Sequence, residues 1–427
     1  MFLEQEMFLG GLSMKNKEKI TNIAENVFPD DIARIVVIGI GGGGGNAVNY
    51  MYEHGIQGVE FYITNTDKQV LSISPIEETH RIELGPKLTN GLGAGGDPSV
   101  GQQAAIESKE ELRNIVRGAD LVFLSAGMGG GSGTGAIPQI AKIAKEEGAL
   151  TVACVTEPFS FEGRKRRNVA QDGIDELVKS VDSLIIISND NLISLVGRKP
   201  IKEAFATCDE VLNTCVKSVS ELITVPALIN LDFADVKSVL FERGRAFFGM
   251  GIANGKEDVA IKAAHNAISS PLLKHRLEGA KSAIVSITGG MNMTLFDSED
   301  VVRTIEEATK AQLEIIYGVN IDPEFGDTIM VTLIATGYDD EEGPEPLPQK
   351  IEKIERVERV EKVVEAPRRE EKPSDLRFDI PSKQIFPPVG DQNVGRNFFD
   401  EPSSSARSAN RTRKEENEKP SFFKNLF

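Results

Sequence analysis

Six glycines fall within the nine residues Gly127-Met128-Gly129-Gly130-Gly131-Ser132-Gly133-Thr134-Gly135, with hydroxyls at Ser132 and Thr134. The apolar run Leu121-Val122-Phe123-Leu124 before them is short enough for a buried parallel strand, and Ile137, Ile140, Ala141 and Ala144 after them recur at helical spacing. The order is strand, loop, helix, with Pro138 expected in the first helical turn, where a missing N–H costs nothing. Successive backbone N–H groups of such a loop can converge on an anion with no Cβ in the way, at the positive end of a helix dipole. Phosphate is the expected guest, and a merely flexible connection is the competing reading.

The chain is too long for one core: at 427 residues it should divide into two ordered domains, since single cores stop growing near roughly 250 to 300 residues. A formal net charge of −17 argues against a nucleic-acid partner, because phosphate backbones select basic surfaces. Cys154, Cys208 and Cys215 sit in apolar surroundings and read as buried reduced thiols, which implies the cytoplasm. No apolar run approaches the roughly 18 residues of a membrane span, and Met1 to Gly11 lack the basic start of a secretion signal.

Residues 1–30 read as a mobile arm ahead of the fold. A second strand, loop and helix then follows: Ile35 to Ile38, a glycine loop from Gly39 to Asn46, and a helix opening at Ala47. Gly39, Gly41 and Gly44 satisfy GxGxxG, and Asp67 lies 23 residues beyond Gly44 after the strand Val59 to Ile63. Alone, that is a dinucleotide fingerprint and supports an NAD-dependent oxidoreductase. A third glycine cluster, Gly91 to Gly96, precedes Asp97-Pro98, an expected N-cap followed by proline at the first helical position. Three glycine loops before helices suit a triphosphate better than a dinucleotide, which needs one. The P-loop pattern GxxxxGK[ST] is absent, so backbone amides, hydroxyls and a metal ion must hold the phosphates. A scaffold that binds nucleotide without hydrolysing it remains a further alternative.

Strands are expected at Leu150 to Val155 and Leu184 to Ile187. Between them Glu162 can accept from ribose hydroxyls and Arg166 can face phosphate, although ordinary surface charge explains both equally well. Lys202 to Leu222 reads as a long helix with more than one apolar face, buried between domains and ended before Pro226. Phe205 and Asp209 stand four apart on one face of it, so an aromatic plane and a carboxylate can meet one base. The carboxylate accepts from guanine N1–H and N2–H together, while core packing and surface charge account for the pair as well. Asn230-Leu231-Asp232-Phe233-Ala234-Asp235 puts both carboxylates in the first turn of a helix running toward Arg245, which is also ordinary capping chemistry. Helices at Ala260 to Ile268 and Val301 to Ala311, with strands at Ala283 to Ile287 and Ile329 to Ala335, give a smaller α+β domain. From residue 339 the chain turns acidic, Pro-rich and repetitive, with favourable i,i+4 charge pairs along 351–362, and reads as a linker. The final Pro420 to Phe427, apolar on a polar tether, reads as a docking peptide.

These residues resemble the FtsZ family, the bacterial cell-division relatives of tubulin. Gly129 to Gly135 is similar to the tubulin-type signature GGGTGTG, with Ser132 at a threonine position, and the likeness continues through Gly41 to Asn46, Asn65-Thr66-Asp67, Gly91 to Pro98, Pro158 to Arg166 and Asn230 to Asp235. The resemblance implies a tubulin-like α/β fold: a doubly wound GTP-binding domain over 31–200, a central helix over 201–225, an α+β domain over 226–338 and a disordered linker and docking tail over 339–427. It implies a GTPase of the division ring, cytoplasmic and assembled at mid-cell, that polymerises head to tail and reaches membrane-tethering adaptors through its tail.

The nucleotide is expected at Gly41, Gly42, Gly43, Gly44, Gly45, Asn46, Asn65, Ala94, Gly95, Gly96, Gly129, Gly130, Gly131, Ser132, Gly133, Thr134 and Gly135. Glu162 and Arg166 fall at ribose and phosphate positions, and Phe205 and Asp209 at the guanine. Asn230, Asp232 and Asp235 are expected to complete a neighbouring subunit's site, and Mg2+ to be held mainly through the GTP or GDP and not by a dedicated side-chain set. Two departures stand out: Ala94-Gly95-Gly96-Asp97-Pro98 replaces the family's Ala-Gly-Ala-Asn-Pro, and Asp379-Ile380-Pro381 matches only the start of its docking peptide.

Overall fold

The computed structural model describes residues 33–196, 200–225, 227–255, 257–272, 279–309 and 313–338. The N-terminal arm, the Pro226 stop, the linker, Asp379-Ile380-Pro381 and the terminal peptide 420–427 lie outside the described residues.

The first half alternates strand and helix: β1 Ile35–Ile40, α1 Gly41–Glu53, β2 Val59–Asn65, α2 Lys68–Ser72, β3 Arg81–Glu83, α3 Pro86–Thr89, α4 Pro98–Glu107, α5 Lys109–Val116, β4 Leu121–Gly127, α6 Ser132–Glu146, β5 Leu150–Glu157, α7 Arg164–Leu177, β6 Ser183–Ser188 and α8 Asn189–Val196. The second half contains α9 Ile201–Thr224, α10 Phe233–Leu240, β7 Gly244–Asn254, α11 Val259–Ile268, β8 Ser282–Gly289, α12 Leu295–Thr309, β9 Glu314–Ile321 and β10 Thr328–Thr336. The ten strands form one sheet in the order β3-β2-β1-β4-β5-β6-β7-β10-β8-β9. Strands β1 to β6 are all parallel, whereas β10 runs antiparallel to both β7 and β8.

Every residue of β1 is buried, because helices cover both faces of the parallel sheet. The two-residue period divides its apolar run: Ile35 and Val37 enter one core with Ala47, Val48 and Met51 of α1, while Val36, Ile38 and Ile40 enter the other with Ala136, Ile137 and Ile140 of α6. Thus α1 and α6 lie on opposite faces. Because β1 pairs with β2 on one side and β4 on the other, the strand order reverses at β1 and β4, and a crevice opens at their carboxyl ends. Both helices begin there.

Neither begins where the sequence places it. α1 starts at Gly41 and not at Ala47, so the glycine run is the helix's first turns and not a loop. Gly41 turns the chain at φ +71°, and a Cβ on Gly44 would collide with the Ser125 carbonyl of β4. Glycine costs about 1 kcal/mol per helical position relative to alanine, and here close packing on β4 overrides that preference. α6 likewise starts inside the glycine signature, which puts Pro138 seventh in the helix instead of in its first turn. Proline there supplies no N–H to the carbonyl of Thr134, four residues back.

The expected long helix is α9, whose Val211, Leu212, Cys215, Val216, Val219 and Leu222 are all buried in the core shared with α1 and β5. The three cysteines are buried free thiols. Strands β7 and β9 have no counterpart in the sequence reading. In β7 the glycines at 249 and 251 hide the strand pattern, and Gly251 is needed because the backbone of α11 lies directly on it. Among the described residues no helix is long and apolar enough to cross a membrane.

Candidate nucleotide site

The crevice at β1 and β4 gathers the three glycine segments. A Cβ on Gly41 would stand 2.7 Å from the Gly133 nitrogen; one on Gly131 would stand 2.8 Å from the Asp97 nitrogen and 2.9 Å from the Ala94 Cβ. Gly129, at φ +93°, lies against Arg166, whose carbonyl oxygen a Cβ would approach to 2.6 Å. These glycines, with Gly43, Gly133 and Gly135, permit close approach of one segment to another. Gly42, Gly45, Gly95, Gly96 and Gly130 differ: a Cβ on any of them would meet nothing within 4 Å. Their open sides form a cradle that side chains would fill.

The two helices that start at this cradle lack side-chain caps: neither α1 nor α6 has a side-chain hydrogen bond at its N-cap, which is Ile40 in one and Gly131 in the other. The neighbouring α4 is capped in the ordinary way by Asp97, which accepts from the Ser99 N–H at 2.8 Å behind Pro98. Two helices of 13 and 15 residues thus present first-turn N–H groups and positive dipole ends to one crevice. An anion satisfies both.

The hydroxyls are more constrained than the sequence suggests. Thr134 Oγ1 accepts from the Gly129 N–H at 2.8 Å and so braces the loop. Ser132 Oγ lies 2.6 Å from Thr66 Oγ1, a residue the sequence reading left without a role. Asn65, at the end of β2, accepts from the Asp67 N–H through Oδ1 at 3.2 Å. Asp67 in turn caps α2 by accepting from the Gln69 N–H at 2.9 Å. A carboxylate engaged as a helix cap, beside a GxGxxG whose first glycine is inside a strand, is not the ribose acceptor that the dinucleotide fingerprint requires.

Glu162 and Arg166 come together as an ion pair at 2.9 Å, and the other Glu162 oxygen accepts from the Phe159 N–H at 2.8 Å. Phe159 packs edge-on against Phe205, ring centroids 5.4 Å apart, so this turn and the start of α9 meet. Phe205 keeps 43% of its surface exposed, which suits a ring awaiting a flat partner. One turn on, burial pushes the Asp209 carboxyl up to about 7. Tyr50 of α1 faces the same place: burial first, then the charges of Glu210 and Asp209, push its phenol up to about 12. Asn46 precedes Tyr50 by four residues and shares its helix face.

At the carboxyl end of β6, Asn189 Oδ1 is buried without a hydrogen-bond partner. Sequence reasoning missed it, although the first residue after a parallel strand is where such sites collect polar groups. Among the described residues no cluster of three or more His, Cys, Asp or Glu side chains is arranged to hold a metal ion.

The acidic segment is elsewhere. Asp232 caps α10, accepting from the Asp235 N–H at 2.8 Å, and Asn230 Oδ1 accepts from the Ala227 N–H at 2.6 Å. The Asp235 carboxylate is exposed. From Phe205 to Thr224, α9 runs roughly 29 Å at about 1.5 Å per residue. Asn230, Asp232 and Asp235 follow its far end, so the cradle and the carboxylates of one chain do not meet.

Comparison with known proteins identifies this arrangement. Residues 34–197 match the GTPase domain of the Tubulin/FtsZ family, and residues 244–339 match the FtsZ family C-terminal domain. An FtsZ dimer from M. jannaschii, in its empty form, is 40% identical, with a TM-score of 0.68 over 76% of this chain and 93% of that one. The chain belongs to the Tubulin/FtsZ family. A point mutant of the same M. jannaschii protein gives 40% identity and a TM-score of 0.69, covering 76% of this chain and 96% of its own. CetZ2 from Haloferax volcanii, solved as a GTPγS-bound protofilament, shares the fold at 22% identity and a TM-score of 0.62, over 72% of this chain and 94% of that one. Membership makes this a GTP-binding, tubulin-like protein of the cytoskeletal and cell-division class. The oxidoreductase reading of the first glycine run is not favoured.

Proposed function

We propose that the chain is a GTPase that assembles head to tail and hydrolyses GTP in a site shared by two copies. One observation carries the reading: the phosphate cradle and the free Asp235 carboxylate lie at opposite ends of α9, so only another copy's acidic loop can reach a bound nucleotide. The M. jannaschii dimer and the CetZ2 protofilament support assembly as the family's habit. The first-turn N–H groups of α1 and α6 and the Ser132 hydroxyl hold the phosphates, with Gly42 to Asn46 and Gly95-Gly96 closing around them. Phe205 lies on the base, Asp209 accepts from N1–H and N2–H, and Glu162 and Arg166 serve the ribose and phosphate edge.

Triphosphate carries up to four negative charges, and Mg2+ held by its oxygens would offset them. Asp235, arriving from the neighbour, orients the attacking water, while Asp232 holds the start of α10 in place and Asn230 holds the loop. Supplying these carboxylates in trans separates tight binding from turnover, because two anionic groups beside the phosphates within one chain would repel the ligand. The family's class supports a cytoplasmic division-ring role at mid-cell, and residues beyond 338 are the proposed contact for membrane adaptors.

The test is GTPase rate against protein concentration, with sedimentation of polymer in parallel. Specific activity should rise from near zero above a threshold that coincides with polymer. Activity per molecule that stays constant on dilution, without polymer, would show that one chain holds a complete site. Binding without turnover at any concentration would support the non-hydrolysing scaffold instead.

A further inference from the structure

We propose that Thr66 is a positioning residue for phosphate binding: its hydroxyl donates to Ser132 Oγ and thereby turns the Ser132 proton toward the bound phosphate. The inference rests on the nucleotide reading above and specifies how one of its donors is set.

Thr66 is completely buried, and its Oγ1 lies 2.6 Å from Ser132 Oγ. The two hydroxyls form one hydrogen bond, and either could donate it. Among the described residues neither has a second side-chain or backbone partner. Burial decides the direction. If Ser132 donated, the Thr66 proton would be sealed in the interior without an acceptor, which native structures avoid. If Thr66 donates, the free proton is that of Ser132, which keeps an exposed side at the first residue of α6. That proton then joins the N–H groups of the same turn, and the site presents donors only.

The Thr66 backbone is fixed independently. Its carbonyl accepts from the Gly93 N–H at 3.1 Å and from Thr89 Oγ1 at 3.3 Å. The residue therefore ties the turn after β2 to the segment 89–93 through its backbone, and to the glycine signature through its side chain. Three stretches distant in sequence are set against one another at this residue. A serine hydroxyl without this partner could rotate its proton away from the ligand, so the gain is preorganisation.

The experiment is a double-mutant cycle on the full chain, below the concentration at which it assembles, measuring GDP and guanosine affinity by calorimetry. Thr66→Val keeps the shape of the side chain and removes the hydroxyl. It should weaken GDP by up to about tenfold, because Ser132 keeps its hydroxyl but no longer has its proton held toward the phosphate, and leave guanosine, which has no phosphate, unchanged. Thr66→Ser should restore GDP binding, and Ser132→Ala should cost much less in the Thr66→Val background than in the wild type. Undiminished GDP affinity in folded Thr66→Val, or fully additive losses, overturns the proposal. Should Thr66→Val not fold, Ser132→Ala alone decides: GDP affinity equal to the wild type removes the donor that Thr66 is held to orient. A wild-type protein that binds neither GDP nor GTP overturns the nucleotide reading itself.

Discussion

The proposed contact between Asp209 and guanine predicts a proton-linked binding event whose size follows from the surroundings of the carboxyl. Its carboxyl is pushed up to about 7 by burial, while burial pushes Tyr50 and Cys208 up to about 12, with a contribution from the Asp209 charge, so both stay neutral. Only the ionised carboxylate accepts from both N1–H and N2–H, so the base must bind that form and draw its pKa down. With a free-state pKa of about 7, roughly one molecule in eleven is ionised at pH 6 and about nine in ten at pH 8, so affinity should fall about tenfold between them. In the empty fold the raised pKa means that stability is fully present below the ordinary carboxylate range and is lost as pH rises through about 7. Nucleotide should therefore stabilise the protein more at pH 8 than at pH 6. Calorimetric titration of unassembled protein, in buffers of different ionisation heat, reads both the affinity and the proton released. The terminal phosphate of the ligand titrates in the same range, and Asp209→Asn is the control because it keeps that contribution. The amide should flatten the excess pH dependence. It should also shift preference from GTP toward XTP, a reversal of hydrogen-bond polarity worth about 2 to 4 kcal/mol when mismatched groups are buried. Identical pH profiles in the two proteins, with an unchanged GTP to XTP ratio, would refute the assignment.

Two further outcomes separate fold from function at single positions. Gly42→Ala, where a Cβ meets nothing, should leave the empty protein as stable or about 0.5 to 1 kcal/mol more stable while weakening nucleotide binding, whereas Gly131→Ala, which meets Asp97 and Ala94 below 3 Å, should lower the thermal midpoint of the empty protein; equal effects of the two on stability would deny the division between packing and cradle glycines. Asp235→Ala should bind GTP and sediment as polymer yet turn over slowly, while Asp232→Ala should in addition lose about 1 kcal/mol of stability with the N-cap of α10; a folded Asp235→Ala that no longer binds GTP as a monomer would place that carboxylate in its own chain's site.

How much of this was legible beforehand depended on the range of the deciding contact. Apolar runs at Ile35 to Ile38 and Leu121 to Leu124 announced β1 and β4 because a strand covered on both faces needs no partner information to be recognised. The glycine segments were visible for the same local reason, and the phosphate role proposed for them was read from that visibility. Their conformation was not legible: glycine is a poor helix former, and the reason Gly41 to Gly45 are helical is the approach of Gly44 to Ser125, 81 residues away in sequence. Thr66 and Asn189 escaped notice similarly. A buried threonine against a serine hydroxyl, or an asparagine oxygen left without a donor, exists only once the chain has been brought together.

The acidic segment shows the limit most sharply, because its two carboxylates are equivalent in sequence and unlike in structure. Spacing of three residues before an apolar helix describes a cap and a catalytic pair equally well. The fold separates them by what they touch: Asp232 accepts the Asp235 N–H and closes the first turn of α10, whereas the Asp235 side chain does not cap the helix, and both residues are exposed. What motivates the role proposed for Asp235 is neither its spacing nor its own surroundings but its place beyond the far end of α9, away from the cradle. That distance belongs to the whole molecule, and the proposal of a site shared between two copies rests on it.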